Sequence, residues 1–167
     1  GQLLASCQFA IRAQDESRGY EVAPVAGINT PLSDYGAALF NGDLYYVSQT
    51  IRNDYDVFYA APDAATQRTP VPGNLNTREH HDGPVLIAPD GLSMYFTRTS
   101  FNRFYDQTGQ GPIHNLNLYT ATLNPERGEW VASAPLPINQ DEYSNGHAVL
   151  SADGNSLVFS STRRGGY

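Results

Sequence analysis

The segment NTREHHDGPVLIAPDGLSMYFTR, residues 76–98, predicts two short strands joined by a tight turn. Residues 85–87 are an apolar run that stops at Pro89, and a second run begins at Met94. In a Pro-Asp-Gly turn, Pro presets φ, Asp90 accepts backbone hydrogen bonds, and Gly91 takes the left-handed conformation. The stretch therefore predicts a β-hairpin.

The same layout occurs at residues 29–48 (NTPLSDYGAALFNGDLYYVS) and 139–161 (NQDEYSNGHAVLSADGNSLVFSS). Each unit begins with Asn, and a Gly follows seven residues later (36−29, 83−76 and 146−139). We expect these glycines to occupy equivalent places in the fold; they are Gly36, Gly83 and Gly146. The third unit repeats the turn with Asp153 and Gly154, whereas the first has the shorter turn 41–43. Internal repetition at this spacing is typical of repeat architectures.

Further strands are predicted at residues 56–60, 116–121 and 130–132, which gives up to four strands per unit. We therefore predict an all-β fold: a partial β-propeller of about three four-stranded antiparallel blades, around residues 29–61, 76–123 and 139–167. Propellers usually have about four to eight blades. We expect further blades in the intact protein, because three do not close a ring.

The N-terminal residues 1–19 are predicted to be the end of a preceding helical segment or a linker, separate from the propeller fragment 20–167. Leu4 to Cys7 match the shape of a lipobox, which precedes a lipid-modified cysteine. Leu4, Cys7 and Ile11 also lie at helical spacing, and we favour a short N-terminal helix.

Bulk composition narrows the classes of partner. The formal net charge is −7 and the chain has no Lys, so a nucleic-acid partner is not expected. No stretch approaches the roughly 20 apolar residues of a membrane span. Cys7 is the only cysteine, so no internal disulfide can form.

Several segments resemble the propeller repeats of OmpA-family envelope proteins of Bacteroidota, which are tryptophan-aspartate-like repeats. The matching segments are 81–84 (HDGP), 89–91 (PDG), 94–98 (MYFTR), 116–119 (LNLY), 56–59 (DVFY) and 160–167 (SSTRRGGY). The resemblance covers about residues 20–167, and the turn at Asn41 departs from it.

The resemblance implies a non-enzymatic scaffold at the periplasmic face of the outer membrane, in a type IX secretion or gliding-motility assembly. The implied partners are outer-membrane or periplasmic proteins. Peptidoglycan would be bound through a domain outside this chain. No cofactor is implied.

Candidate catalytic and metal-binding groups have structural interpretations. Asp90 and Asp153 lie in predicted turns, where Asp bonds to its own backbone. His80, His81 and Asp82 form a cluster without the second spaced pair typical of a zinc site. No Gly-x-Ser-x-Gly motif occurs. We therefore predict no enzyme activity and no metal site.

The segment 99–115, an insertion between repeats, is predicted to be a polar loop that binds a partner. Arg and aromatic side chains are typical of interaction hot spots. The proposed contact residues are Phe101, Arg103, Phe104 and Tyr105. An alternative is that these rings pack on the neighbouring blade.

Two further functions stay open. A carbohydrate- or peptidoglycan-binding propeller could use Tyr105 or Trp130 as a sugar platform. A glycoside hydrolase or lyase would need two carboxylates facing each other, with Asp34, Asp82 and Glu79 as the candidates.

Overall fold

The computed structural model describes residues 2–14, 21–61, 67–105 and 112–165. It is mostly β, with one short helix, and every strand pairing within its sheets is antiparallel. The elements are α1 (Gln2–Gln14), β1 (Asp34–Phe40), β2 (Asp43–Gln49), β3 (Tyr55–Ala60), β4 (Thr69–Pro70), β5 (Asp82–Ile87), β6 (Ser93–Tyr105), β7 (Pro112–Asn124), β8 (Glu129–Pro135), β9 (Asn145–Leu150) and β10 (Leu157–Ser161).

The strands form three sheets, each from consecutive strands. Sheet 1 has the order β1-β2-β3-β4, and sheet 2 has the order β5-β6-β7-β8. Sheet 3 contains β9 and β10. The expectation of three four-stranded units thus holds for two sheets, while the third has two strands among the described residues.

Helix α1 contains Cys7, in agreement with the helical interpretation of this segment. Leu4, Phe9 and Ile11 are exposed on it. In the described part of the chain, no helix has the length and hydropathy needed to cross a membrane.

Each sheet begins with a hairpin whose turn residues have the expected backbone. Gly91 and Gly154 adopt φ values of 69° and 72°. In the shorter turn of sheet 1, Asn41 and Gly42 both have positive φ, 50° and 90°. Positive φ at both central residues is the requirement of a two-residue turn of type I′.

Each of these hairpins also contains a one-residue register shift in its first strand. The shift lies between Tyr35 and Ala38 in sheet 1, and between Asp82 and Val85 in sheet 2. In sheet 3 it lies between Gly146 and Val149. An extra residue of this kind is a β-bulge, which bends the strand and increases its twist.

Backbone hydrogen bonds show that the sequence alignment of the first repeat is one residue out. The N–H groups of Gln49, Thr99 and Thr162 donate to the carbonyls of Ser33, His81 and Ser144, so these three acceptors correspond. The residues two positions further on, Tyr35, Gly83 and Gly146, therefore correspond as well. Gly36 therefore corresponds to His147, and both have positive φ, 67° and 55°. Gly83 keeps its match with Gly146, but the expectation that Gly36 shares their place is wrong. A constant Asn-to-Gly interval does not show where the extra residue enters the strand.

Sheet 1 packs face to face on sheet 2 around the main hydrophobic core. Val57 of sheet 1 lies in one cluster with Val85, Met94 and Phe96 of sheet 2. Full burial of such a side chain stabilises the fold by roughly 1.5–3 kcal/mol.

Sheet 2 packs on sheet 3 through its opposite face. Thr97, adjacent to Phe96 and therefore on the other face, lies against Gly146 and accepts a hydrogen bond of 3.0 Å from the His147 N–H. Thr97 pairs with Leu118 in sheet 2 as Val47 pairs with Val57 in sheet 1. The two contacts therefore use corresponding faces, and the three sheets stack in the same sense.

One asparagine side chain joins sheet 1 to the chain that enters sheet 2, and a second one joins sheet 2 to the chain that enters sheet 3. The Asn76 side chain accepts from the Val57 N–H (2.8 Å) and donates to the Val57 carbonyl (2.9 Å). Asn139 forms the same two bonds with Leu118, at 2.9 and 2.7 Å. We call each of these an asparagine clasp. Asn29, the corresponding residue of the first repeat, instead accepts a bond from the Val25 N–H in its own turn.

The insertion differs from the predicted polar loop. β6 continues to Tyr105 and β7 begins at Pro112, so the two strands form a long hairpin. Residues 106–111 lie outside the described residues. The segment mixes polar and aromatic residues without strict alternation, and such a composition fits a strand as well as a loop.

Candidate functional site

A cavity of about 210 Å³ lies where the three sheets meet. Sheet 1 contributes Tyr35 and Tyr55, sheet 2 contributes most of the lining, and sheet 3 contributes His147. The first strands of neighbouring sheets contact one another here, β1 with β5 and β5 with β9. The full lining is Tyr35, Tyr55, His81, Asp82, Gly83, Pro84, Thr97, Thr99, Leu116 and His147.

Three rings form one wall of the cavity. The Tyr35 and Tyr55 rings meet edge to face with centroids 5.8 Å apart, and Tyr55 and His81 meet in the same way at 5.4 Å. This arrangement is favoured by the quadrupole of aromatic rings. Burial raises the pKa of Tyr35, and the neighbouring Tyr55 raises it further, so its phenol stays neutral at physiological pH.

Where two sheets approach each other, a glycine of one sheet lies against a side chain of the neighbouring sheet. A Cβ atom on Gly146 would lie 3.0 Å from the Thr97 methyl carbon, and one on Gly36 would lie 2.8 Å from Cγ of Pro84. The absence of side chains at these positions lets β1 approach β5 and lets β9 approach β6 beside the cavity.

Asp82 lies at the inner wall and is fully buried. Its Oδ1 accepts from Arg98 Nε at 2.6 Å, and its Oδ2 accepts from the Thr77 N–H at 3.1 Å. Arg98 also donates to the Leu75 carbonyl, and its guanidinium lies 5.0 Å from the centre of the Phe96 ring. Burial raises the pKa of Asp82 to about 6, although the bonds from Arg98 oppose this shift.

Asp34 occupies the corresponding place in sheet 1. Its Oδ2 accepts from the Thr30 N–H at 2.6 Å, as Asp82 accepts from Thr77. Both carboxylates thus fix the segment that enters their own sheet. The arrangement of two free carboxylates that would favour a glycosidase is not formed by Asp82, because Arg98 holds it in an ion pair.

The two threonine hydroxyls of the lining accept hydrogen bonds from the backbone. Thr97 Oγ1 accepts from the His147 N–H at 3.0 Å, and Thr99 Oγ1 accepts from the His81 N–H at 2.9 Å. The surface that faces the cavity is mostly carbon. The site is therefore suited to an apolar group more than to an ion.

The turn aspartates act on their own backbone. Asp90 Oδ1 accepts from the Leu92 and Ser93 N–H groups at 2.8 and 2.9 Å, and these bonds lower its pKa. Asp153 Oδ1 accepts from the Ser151 hydroxyl at 2.5 Å and from the Asn155 N–H at 3.1 Å, and these bonds lower its pKa. Neither residue lines the cavity.

The backbone of the four predicted contact residues runs in β6, and their side chains lie outside the described part of the structure. These residues are Phe101, Arg103, Phe104 and Tyr105. They stay a prediction.

The histidine cluster was considered as a metal site, and Trp130 was considered as a sugar platform. Among the described residues, no group of three or more His, Cys, Asp or Glu side chains is placed to hold a metal. Trp130 is buried in the core between sheets 1 and 2, so its ring is unsuited to a sugar platform.

Sequence reasoning did not find the cavity, because its walls come from three repeats. Tyr35 and Tyr55 are separated in sequence from His81 and His147, and only the stacking of the sheets brings them together. The one available signal was the position of Tyr35 directly before Gly36 in the repeat.

Comparison of the chain with protein-family models, with curated proteins and with solved structures gives no match.

Proposed function

We propose that this chain forms consecutive blades of a β-propeller and acts as a non-enzymatic binding scaffold in the bacterial cell envelope. The observation that carries the proposal is the meeting of β1, β5 and β9 around one cavity. A propeller places the first strand of every blade next to its central channel.

The stacking of the sheets supports the propeller. Sheet 1 presents the face of Val57 to sheet 2, and sheet 2 presents the corresponding face of Thr97 to sheet 3. A stack that repeats one interface in the same sense is the arrangement of neighbouring blades. The asparagine clasps at Asn76 and Asn139 repeat the connection between them.

The scaffold role is supported by the resemblance of the repeats to OmpA-family envelope proteins and by the occupied polar groups of the cavity. Asp82 is bonded to Arg98 and to the Thr77 N–H, and the Thr97 and Thr99 hydroxyls each accept a backbone N–H. Groups held in this way position the backbone. The long β6–β7 hairpin extends from sheet 2 and is the proposed contact element for outer-membrane or periplasmic proteins.

The proposal is tested by photo-crosslinking in the native cell. The full-length protein carries a photoreactive amino acid at Phe101 or Tyr105, and at the exposed turn residue Glu126 as a control. We expect the two hairpin sites to capture a protein of the envelope fraction and the Glu126 site to capture none.

Recovery of the protein in the cytoplasmic fraction would remove the envelope part of the proposal. Equal capture from all three sites would remove the role of the hairpin. Turnover of a polysaccharide by the purified protein would place it among the enzymes instead.

A further inference from the structure

We propose that the cavity between the three sheets receives a single apolar or aromatic side chain from an extended, basic segment of a partner protein. The inference rests on the proposed scaffold function and names the kind of partner that the site takes.

The size of the cavity fits one side chain. Clefts that bury a whole drug-sized molecule have volumes of about 300–1,000 Å³. The cavity here has about 210 Å³, which is too small for such a molecule. A protein segment that inserts one residue and leaves its backbone outside is consistent with this volume.

The chemistry of the lining favours an apolar insert. A sugar needs several hydrogen-bond partners, and the Asp82 carboxylate, Thr97 Oγ1 and Thr99 Oγ1 already accept bonds from protein donors. A polar ligand would meet a surface that is mostly carbon, and a buried polar group left unpaired costs about 1–3 kcal/mol. An apolar side chain has no such cost.

The rim of the cavity provides aromatic contact area. Tyr35 is 42% exposed, so its ring is available to a partner while it stays packed on Tyr55. His81 and His147 are also exposed. Tyr is enriched at the energetic centres of protein interfaces, because a rigid ring buries a large area at low entropic cost.

Charge favours a basic partner segment. The chain has a formal net charge of −7. A field of this sign attracts a positively charged segment and raises the rate at which it associates.

The test uses fluorescein-labelled peptides of sequence Gly-Arg-Gly-X-Gly-Arg-Gly, with X as Trp, Leu or Ala, titrated with the 167-residue chain in a polarisation assay. We expect saturable binding of the Trp or Leu peptide, and at least about tenfold weaker binding of the Ala peptide, equivalent to about 1.4 kcal/mol. Replacement of both arginines by glutamate should weaken binding at low salt.

Two variants change the cavity in opposite ways. Tyr35→Ala removes part of its wall, and Thr99→Trp fills it. We expect each to weaken binding of the Trp peptide by about tenfold or more. Tyr143→Ala and Thr122→Trp are the matched controls outside the lining, and binding should stay within about twofold. Thermal unfolding of every variant verifies that the chain is folded.

The inference is overturned if the three peptides bind equally, if none binds at about 1 mM, or if the control variants lose as much affinity as the cavity variants. It is also overturned if oligomers of N-acetylglucosamine bind saturably and Tyr35→Ala abolishes that binding. Crosslinking from the hairpin sites is independent of Tyr35, so loss of peptide binding with intact crosslinking would leave the scaffold function standing.

Discussion

Asp82 is the residue at which burial and charge compete most directly. Its carboxylate is fully buried and bonded to Arg98, yet its pKa rises from 3.8 to about 6, because removal from water outweighs the attraction of the guanidinium. A buried ion pair is therefore weak evidence for net stabilisation. The bonds from Arg98 and Thr77 instead fix the geometry of the segment that enters sheet 2.

The raised pKa predicts a specific pH dependence of stability. Because the folded protein holds the Asp82 proton more tightly than the unfolded chain, the contribution of this group is complete below pH 3.8 and is lost as the pH rises through about 6. A shift of this size corresponds to about 3 kcal/mol. We expect the free energy of unfolding, measured in urea between pH 4 and 7, to fall relative to Asp82→Asn as the pH rises.

The control is Asp90→Asn, because Asp90 is exposed in a turn and its pKa is lowered, not raised. A constant difference between the wild type and Asp82→Asn across this range would show that burial does not raise the pKa of Asp82.

Gly73 is predicted to tolerate no side chain. A Cβ atom there would lie 2.0 Å from the Trp130 carbonyl oxygen, and φ is 112°. The segment cannot move away easily, because the Trp130 N–H donates to Pro72 and the Asn74 N–H donates to Trp130. Gly73→Ala should destabilise the fold by more than about 3 kcal/mol, measured by chemical denaturation.

Gly154→Ala separates the effect of φ from the effect of space. Gly154 also has a positive φ, 72°, but nothing lies within 4 Å of its Cβ position. Its replacement should cost only about 1–2 kcal/mol. Equal losses for the two variants would contradict the steric account of Gly73.

At the scale of the elements, the asparagine clasps are the repeated feature that sequence reasoning missed. Asn76 and Asn139 begin their repeats, and the regular interval to Gly83 and Gly146 was visible. The pattern did not show that these amides bind the third strand of the preceding sheet. That contact joins residues about 20 positions apart, and only the stacking of the sheets explains it.

Removal of a clasp should weaken the link between two sheets. Asn139→Ala leaves the Leu118 N–H without its acceptor, whereas the Leu118 carbonyl keeps a bond of 2.9 Å from the Leu136 N–H. An unpaired buried donor costs about 1–3 kcal/mol. We expect this loss of stability, together with faster hydrogen exchange at the Leu118 amide.

Asn29→Ala is the matched control for the clasp. Asn29 stands at the same place in the first repeat, but among the described residues its side chain bonds to the Val25 N–H of its own exposed turn and not to another sheet. It should cost less than about 1 kcal/mol. The clasp would have no role in joining sheets if Leu118 exchanged at the same rate in both variants.

Local chemistry predicted the hairpins well. The Asp-Gly turns at Gly91 and Gly154 and the Asn-Gly turn at Asn41 formed as expected, because the residues required for positive φ are present in the sequence. The length of β6 was not predicted, since polar and aromatic residues fit a strand or a loop. The bulge that displaces Gly36 is a property of the pairing, which sequence alone does not show.

At the scale of the whole molecule, the three sheets depend on contacts between units distant in sequence. Gly36 lies against Pro84 of the next sheet, and Thr97 lies against Gly146 of the sheet after it. The cavity lies beside these contacts, and Pro84 and Thr97 are part of its lining. A change in the order or sense of stacking would remove both the cavity and the proposed site.

The most direct test of this account is a nuclear Overhauser spectrum of the 167-residue chain. We predict cross-peaks between Gly36 and the Pro84 side chain, and between Gly146 and the Thr97 methyl group, because these atoms are in contact. Cross-peaks within each hairpin but none between Gly36 and Pro84 or between Gly146 and Thr97 would show that the sheets form and do not stack, which would contradict it.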